Sequence, residues 1–108
     1  MTDTHTGNDA DKASPRIEIV SEGRGGSIVY REGEQHINFS YELAMPPAIA
    51  LVFGPPSRPW DRNFPWAAGR CTEIYEFVGA ETVRQQAAGG SFTIDFDNNM
   101  MEILRAAR

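Results

Sequence analysis

The spacing of hydrophobic and polar residues predicts β-strands along much of the chain. Three segments alternate apolar with polar side chains, which is the two-residue period of a half-buried strand: residues 16–20, 36–43 and 91–96. The alternation is clearest where Ile37, Phe39 and Tyr41 share one face and polar residues separate them. Two more strands are predicted, one over residues 27–31 and a wholly apolar interior strand over Ala48–Phe53.

A single amphipathic helix is predicted over residues 67–88. Four apolar residues recur at positions i, i+3, i+4 and i+7 and so share one helix face: Cys71, Ile74, Tyr75 and Val78. The glycine pair after residue 88 is typical of a helix end. Gly79 leaves an alternative open, because a glycine at that point also allows a β-hairpin with arms 73–78 and 81–86.

The chain is expected to form one α+β domain. Residues 1–15 carry no apolar anchor and are predicted to form a disordered N-terminal tail, which leaves residues 16–108 for the domain. Asn98 or Asn99 is expected to cap a short C-terminal helix. That helix would run through Met100, Ile103 and Leu104. The predicted architecture is a mainly antiparallel sheet of about five strands, with the amphipathic helix packed on one face. The segment 57–68 is expected to be an irregular loop, because Pro59 and Pro65 keep it from regular structure.

The charge balance disfavours nucleic acid as a partner. Fifteen acidic residues oppose ten basic ones and give a formal net charge of −5, which repels phosphate. The longest apolar run, Ala48–Phe53, is far shorter than the roughly 20 residues that a membrane-spanning helix needs. We therefore expect an acidic protein that binds neither nucleic acid nor a membrane.

The N-terminal residues and the cysteine content favour the cytoplasm. Residues 1–13 have neither the basic start nor the apolar block of a signal peptide. Cys71 is the only cysteine, so the chain has no partner for an intrachain disulfide. We expect a cytoplasmic protein of bacterial type, whose oligomeric state the sequence does not define.

No pattern in the chain assembles a recognisable reaction centre. Only two histidines are present, His5 in the predicted tail and His36 on the outward face of a predicted strand. Cys71 lies on the apolar helix face, where a thiol usually behaves as a small hydrophobic group. One cysteine and one histidine in the domain are too few for a typical zinc site. We expect no cofactor, no metal and no catalytic residue, and we lean away from an enzyme.

One proline-rich segment, residues 55–66, combines the residue types that dominate protein interfaces. Its prolines limit the entropy that is lost when a loop is fixed against a partner. We predict that two arginines and two tryptophans contact a protein partner: Arg58, Trp60, Arg62 and Trp66. In the alternative interpretation the aromatic residues, with Phe64, fold back over one end of the core and the arginines pair with carboxylates.

The order of these landmarks is similar to that of a known family. The landmarks are a hairpin that begins at Ser27, the segment Tyr41-Glu42-Leu43, an apolar strand, a loop with Trp60 and Pro65, a helix from Arg70 and a strand after Gly89-Gly90. Over residues 16–97 the chain resembles a family of small predicted immunity proteins from bacterial polymorphic-toxin systems. It departs from that family in residues 63–68, which lack an acidic run. The resemblance implies a non-enzymatic inhibitor that blocks a cognate toxin, with no catalytic residue to carry over.

Two hypotheses for the function follow. The first is a non-catalytic protein-binding domain, in its specific form an immunity-type inhibitor, that contacts its partner through residues 55–66. The alternative is a small hydrolase or small-ligand-binding protein with a carboxylate-lined pocket, in which His36 or Asp95 lies near the pocket mouth. The sequence favours the first, because the loop composition is typical of an interface and no spacing of carboxylates selects a pair.

Overall fold

A computed structural model describes residues 14–107 of the chain. Of the predicted disordered tail, residues 1–15, residues 1–13 lie outside the described range. The secondary structure elements are β1 (Arg16–Glu22), β2 (Gly25–Glu32), β3 (Gln35–Leu43), β4 (Ala48–Phe53), α1 (Trp60–Asn63), a 3-10 helix (Pro65–Ala67), α2 (Cys71–Gln86), β5 (Ser91–Asp95) and β6 (Met100–Leu104). The fold is therefore a mixed α/β fold with one main helix.

The six strands among residues 14–107 belong to one open antiparallel sheet with the order β1-β2-β3-β4-β6-β5. The first four strands pair in sequence order, and β6 then returns to lie between β4 and β5. The interior position predicted for Ala48–Phe53 is confirmed, since β4 is hydrogen-bonded to β3 on one side and to β6 on the other.

The core lies between one face of the sheet and α2. From β3, Ile37 and Phe39 are buried on this face, while the polar residues between them are exposed. On α2 the predicted stripe is confirmed at Ile74, Tyr75 and Val78, which are fully buried, whereas Cys71 at its start is only partly buried. The Phe39 and Tyr75 rings meet edge to face with their centroids 5.2 Å apart, so the sheet and α2 pack directly against each other.

The helix continues through Gly79, and the alternative hairpin is wrong. A Cβ at this position would lie 2.5 Å from the ring of Phe92 in β5. The glycine therefore serves the packing of the helix against β5 and does not interrupt the helix.

The segment predicted as a short C-terminal helix is instead β6, a correction that raises the number of strands to six. Met101 and Ile103 point into the core, whereas Glu102 between them is only partly buried. The strand completes backbone pairing with both β4 and β5, which a helix of five residues would leave unpaired. Asn99 adopts a left-handed φ of 54° in the turn before the strand.

The segment expected to be an irregular loop contains two short helices, and this expectation is also corrected. Pro59 immediately precedes α1, and Pro65 begins the 3-10 helix. A proline is tolerated at the start of a helix because the first backbone N–H groups have no partner within the helix. The prolines therefore begin helical turns here and do not prevent them.

The antiparallel register defines two ends of the sheet. At one end, which we call the loop end, Phe53 of β4 leads into residues 54–70, and Arg70 reaches Glu32 in the β2–β3 hairpin. At the other end, which we call the cleft end, Leu43 closes β3 and its N–H donates to the carbonyl of Arg24 in the β1–β2 turn. The C-terminal half of α2 lies at this cleft end.

Candidate functional site

Residues 54–70, which we call the arginine loop, are held against the core at their first residues. A Cβ on Gly54 would lie 2.4 Å from the Tyr75 hydroxyl and 2.5 Å from the Phe39 ring, so only glycine fits without rearrangement. The Tyr75 hydroxyl donates a hydrogen bond of 2.8 Å to the Pro55 carbonyl. Burial raises the pKa of Tyr75, so the phenol stays protonated as this donor well into the alkaline range.

Trp60 is the main anchor of the arginine loop. Its side chain is 1% exposed, and its indole Nε1–H donates a hydrogen bond of 2.9 Å to the Ala67 carbonyl. The ring packs on Phe64 and Tyr75, with centroid distances of 4.9 and 6.2 Å. The expectation that Trp60 contacts a partner is therefore corrected, because a buried indole with a satisfied donor offers no surface. For this residue the alternative interpretation, in which the aromatic side chains fold back over the core, is confirmed.

Asp61 makes a second hydrogen bond within the arginine loop, in addition to that of Trp60. Its Oδ1 accepts a hydrogen bond of 2.8 Å from the backbone N–H of Gly69, which has a left-handed φ of 77°. Together with the Pro55 and Trp60 contacts, this bond ties the loop at three points. The loop is consequently ordered before any partner binds.

The anchored loop presents both predicted arginines to solvent. Arg58 and Arg62 are exposed, and neither has a hydrogen bond or ion pair among residues 14–107. The alternative expectation that they pair with carboxylates is therefore not met within the described chain. Trp66 is partly buried: it packs against the core and keeps part of its surface accessible.

Arg70 fixes the end of the arginine loop to the β2–β3 hairpin. Its guanidinium makes a two-pronged contact with Glu32, with distances of 2.9 and 3.2 Å, and also lies 2.8 Å from Glu73. Tyr30, which is buried, donates a hydrogen bond of 2.5 Å to the same Glu32 carboxylate. The hydrogen bonds from Arg70 hold the pKa of Glu32 below its usual range, and burial raises the pKa of Tyr30. This cluster is structural, because every charged member has a partner within it.

The structural role of Arg70 was not predicted from the sequence, although one of its two ion-pair partners could have been. The spacing of Arg70 and Glu73 at i and i+3 is a local pattern that the sequence displays. The other contact joins Arg70 to Glu32, 38 residues away, and only the folded sheet brings them together.

Comparison with known proteins does not assign the chain to a family. No family model, curated protein or solved structure matches the chain. The resemblance to immunity proteins accordingly remains a prediction from sequence landmarks, and the candidate site is judged by its own chemistry.

The other residues considered for chemistry do not converge. His36 is exposed on β3, and Asp95 closes the turn after β5 by accepting bonds from the N–H groups of Asp97 and Asn98. Hydrogen bonds from Asn98 lower the pKa of Asp95. Two strands, β4 and β6, separate His36 from Asp95 in the sheet. Burial raises the pKa of the half-buried Cys71 thiol, with a smaller effect from Asp61.

Among residues 14–107 no three histidine, cysteine or carboxylate side chains are grouped so that they would hold a metal ion. In the same range no helix has the length and apolar character required to cross a bilayer.

A cleft of about 210 Å³ opens at the cleft end of the sheet, between the strands and the C-terminal half of α2. Its lining is mostly aliphatic and contains no charged residue. The cleft therefore differs from the carboxylate-lined pocket that the alternative hypothesis requires.

Proposed function

We propose that this chain is a non-catalytic protein-binding domain that contacts its partner through the arginine loop. The contact residues in this proposal are Arg58, Arg62 and the accessible part of Trp66. The buried Trp60 does not contact the partner but anchors the loop to the core. One observation carries the proposal: two arginines without partners in the described chain stand on a segment that three internal contacts already order.

An ordered loop loses little conformational freedom when a partner binds, so more of the contact energy appears as affinity. Arginine forms paired hydrogen bonds with planar carboxylates and stacks on aromatic rings, and it is among the residues that most often dominate interfaces. Arg58 and Arg62 are free to do both.

The net charge and the two arginines would act at different stages of binding. A formal charge of −5 favours approach by a basic partner, which raises the association rate without fixing the docked geometry. Arg58 and Arg62 would then pair at short range with carboxylates on that partner. The specific form implied by the sequence resemblance is an immunity-type inhibitor of a cognate toxin, acting in the cytoplasm.

The alternative of a hydrolase or carboxylate-pocket protein has no comparable support. It needs acidic groups around a cavity, whereas the lining of the 210 Å³ cleft contains neither Asp nor Glu. His36 and Asp95 lie on strands that are not neighbours, so they offer no shared mouth to such a pocket.

The test compares charge reversals at the two ends of the sheet. The double variant Arg58→Glu and Arg62→Glu removes the proposed contacts. The matched control is Arg24→Glu and Arg105→Glu, which makes the same change of charge with two exposed arginines at the cleft end. Proteins retained by the unmodified chain from a lysate of its source cells are identified, and the affinity of each variant for the purified partner is measured.

We expect the loop variant to lose at least about 100-fold in affinity, since two hot-spot residues typically contribute tenfold or more each. The control should change affinity by less than about threefold, which is the size of a general steering effect. Equal losses in both variants, or none in the loop variant, would refute the proposal. Thermal melting of each variant verifies that the fold is intact.

A further inference from the structure

Strand β1 forms the longer of the two free edges of the sheet. It has seven residues and pairs with β2, whereas β5 at the opposite edge has five and pairs with β6. Within β1 only Ile17 is buried and Ile19 partly buried, and the other residues are exposed. The edge of a sheet carries unpaired backbone N–H and C=O groups, which can pair with a strand of another chain.

The β1–β2 hairpin determines which backbone groups of β1 face outward. Glu22 and Gly25 flank a turn of two residues, so they exchange hydrogen bonds with each other. Because the direction of the backbone groups alternates along a strand, the N–H and C=O groups of Ile17, Ile19 and Ser21 point away from β2. None of these groups has a backbone partner among residues 14–107.

The charges of β1 make this edge complementary to itself. On the face of the sheet opposite to the core, the strand begins with Arg16 and ends with Glu22, and both are exposed. In an antiparallel pair of two copies centred on Ile19, Arg16 of each copy lies directly opposite Glu22 of the other. Opposite charges in this position attract, and the outward backbone groups of the two strands then face each other along their full length.

The neighbouring registers place like charges opposite each other. A pair centred on Glu18 sets this carboxylate against its own counterpart, and a pair centred on Val20 sets Glu18 against Glu22. Both shifts also shorten the paired segment. In the register centred on Ile19, Glu18 lies opposite Val20, and its charge is balanced by Arg31 of its own chain at 2.8 Å. The charge pattern therefore favours one register with a second copy.

The other free edge lacks this complementarity. Asp95 is the only charged residue of β5, so two copies of this strand have no opposite charges to align. The strand is also shorter and offers fewer backbone groups.

We propose that β1 is an interface between two copies of this chain, which pair antiparallel about a two-fold axis at Ile19 and join their sheets. β2 and β3 separate β1 from β4, which leads into the arginine loop, so this proposal does not rest on the proposed function. One strand from each copy buries less area than a standard interface, so the dimer should dissociate on dilution.

The test measures the dimer by sedimentation velocity of the full chain at concentrations between about 5 and 500 µM. Arg16→Glu and Glu22→Arg each set like charges opposite each other at both ends of the interface. The double variant exchanges the two charges and restores the attraction. The controls Arg105→Glu and Glu34→Arg make the same changes of net charge at exposed residues outside β1.

The unmodified chain should be mainly dimeric at the highest concentration. Each single variant should weaken dimerisation at least about tenfold, and the double variant should return within about threefold of the unmodified chain. A general effect of net charge would act differently, because Arg16→Glu makes the chain more acidic and Glu22→Arg makes it less so. The controls should change dimerisation by less than about threefold.

Amide hydrogen exchange locates the interface within the dimer. The amides of Ile17, Ile19 and Ser21 should exchange more slowly at high than at low concentration, whereas those of β5 should not change. The proposal is overturned if the unmodified chain stays monomeric throughout, or if the protection appears on β5 instead. A double variant that melts like the unmodified chain but dimerises as weakly as the single variants would also overturn it.

Discussion

At Gly79 the ring of Phe92 occupies the space into which any side chain would project. Glycine is unfavourable in a helix interior by about 1 kcal/mol relative to alanine, because it loses more backbone entropy on folding. The residue is nevertheless buried in the middle of α2. Close approach of the helix to β5 therefore outweighs helix propensity at this position.

The substitution Gly79→Ala should lower the free energy of unfolding by about 1–2 kcal/mol, because overpacking against Phe92 exceeds the propensity gain. Urea denaturation measures this. In a Phe92→Leu background, where the smaller side chain makes room, the same substitution should be less destabilising. Contrary evidence would be a Gly79→Ala variant at least as stable as the unmodified chain.

Thr82 allows a second prediction at the residue scale. It is buried in α2, and its Oγ1 has no hydrogen-bond partner among residues 14–107. Replacing its unpaired hydroxyl by a methyl group, in Thr82→Val, should raise the free energy of unfolding by about 1 kcal/mol. The exposed control Thr72→Val should stay within about 0.5 kcal/mol of the unmodified chain. A loss of stability in Thr82→Val alone would mean that the hydroxyl has a partner in the folded chain.

Among the elements, β6 shows where local pattern and long-range pairing diverge. Residues 100–104 are too few to distinguish a helix period from a strand period, and the preceding asparagines also suit a helix cap. The pairing with β4 decides the structure, and it joins segments about fifty residues apart in the chain. The longer strands and α2 were predictable because each displays its period over more residues.

Two alanine substitutions distinguish the strand from the predicted helix. In the strand, Met101 is 1% exposed and Leu104 only partly buried, so Met101→Ala should destabilise by about 2–4 kcal/mol and Leu104→Ala by clearly less. The helix would reverse this order, since its apolar stripe contains Leu104 and not Met101. Equilibrium denaturation of both variants gives the answer.

The contact between Arg70 and Glu32 should make stability depend on pH. Because Arg70 holds the pKa of Glu32 below its usual value, the folded chain binds this proton less readily than the unfolded chain. The stabilisation is present above about pH 4.3, the ordinary glutamate pKa, and is lost as pH falls through the lower folded pKa.

Glu32→Gln should therefore reduce the free energy of unfolding at pH 7 by about 1 kcal/mol and flatten its decline in acid. The control Glu76→Gln removes the same negative charge from an exposed carboxylate, and it should leave the dependence of stability on pH nearly unchanged. Denaturation measured between pH 3 and pH 7 provides both curves. Parallel profiles for Glu32→Gln and the unmodified chain would contradict the role given to this contact.

On the scale of the whole molecule, the sheet separates two surfaces of different chemistry. The loop end carries exposed arginines on an anchored segment, and the cleft end carries a cleft lined mostly by aliphatic side chains. Composition alone drew attention to residues 55–66. It did not distinguish buried Trp60 from half-buried Trp66, because that difference arises from packing on Tyr75, which is distant in sequence. The cleft was not predictable, since its walls come from separate strands and one helix.

In the proposed function, the arginine loop is the surface that contacts a protein partner. The most direct measurement is an NMR titration of the full chain with its purified partner, following the side-chain N–H signals of Arg58, Arg62, Trp60 and Trp66. We expect the signals of both arginines and of Trp66 to shift or broaden, while that of Trp60, bonded to the Ala67 carbonyl, changes least. Unchanged arginine signals during saturating binding would contradict the claim.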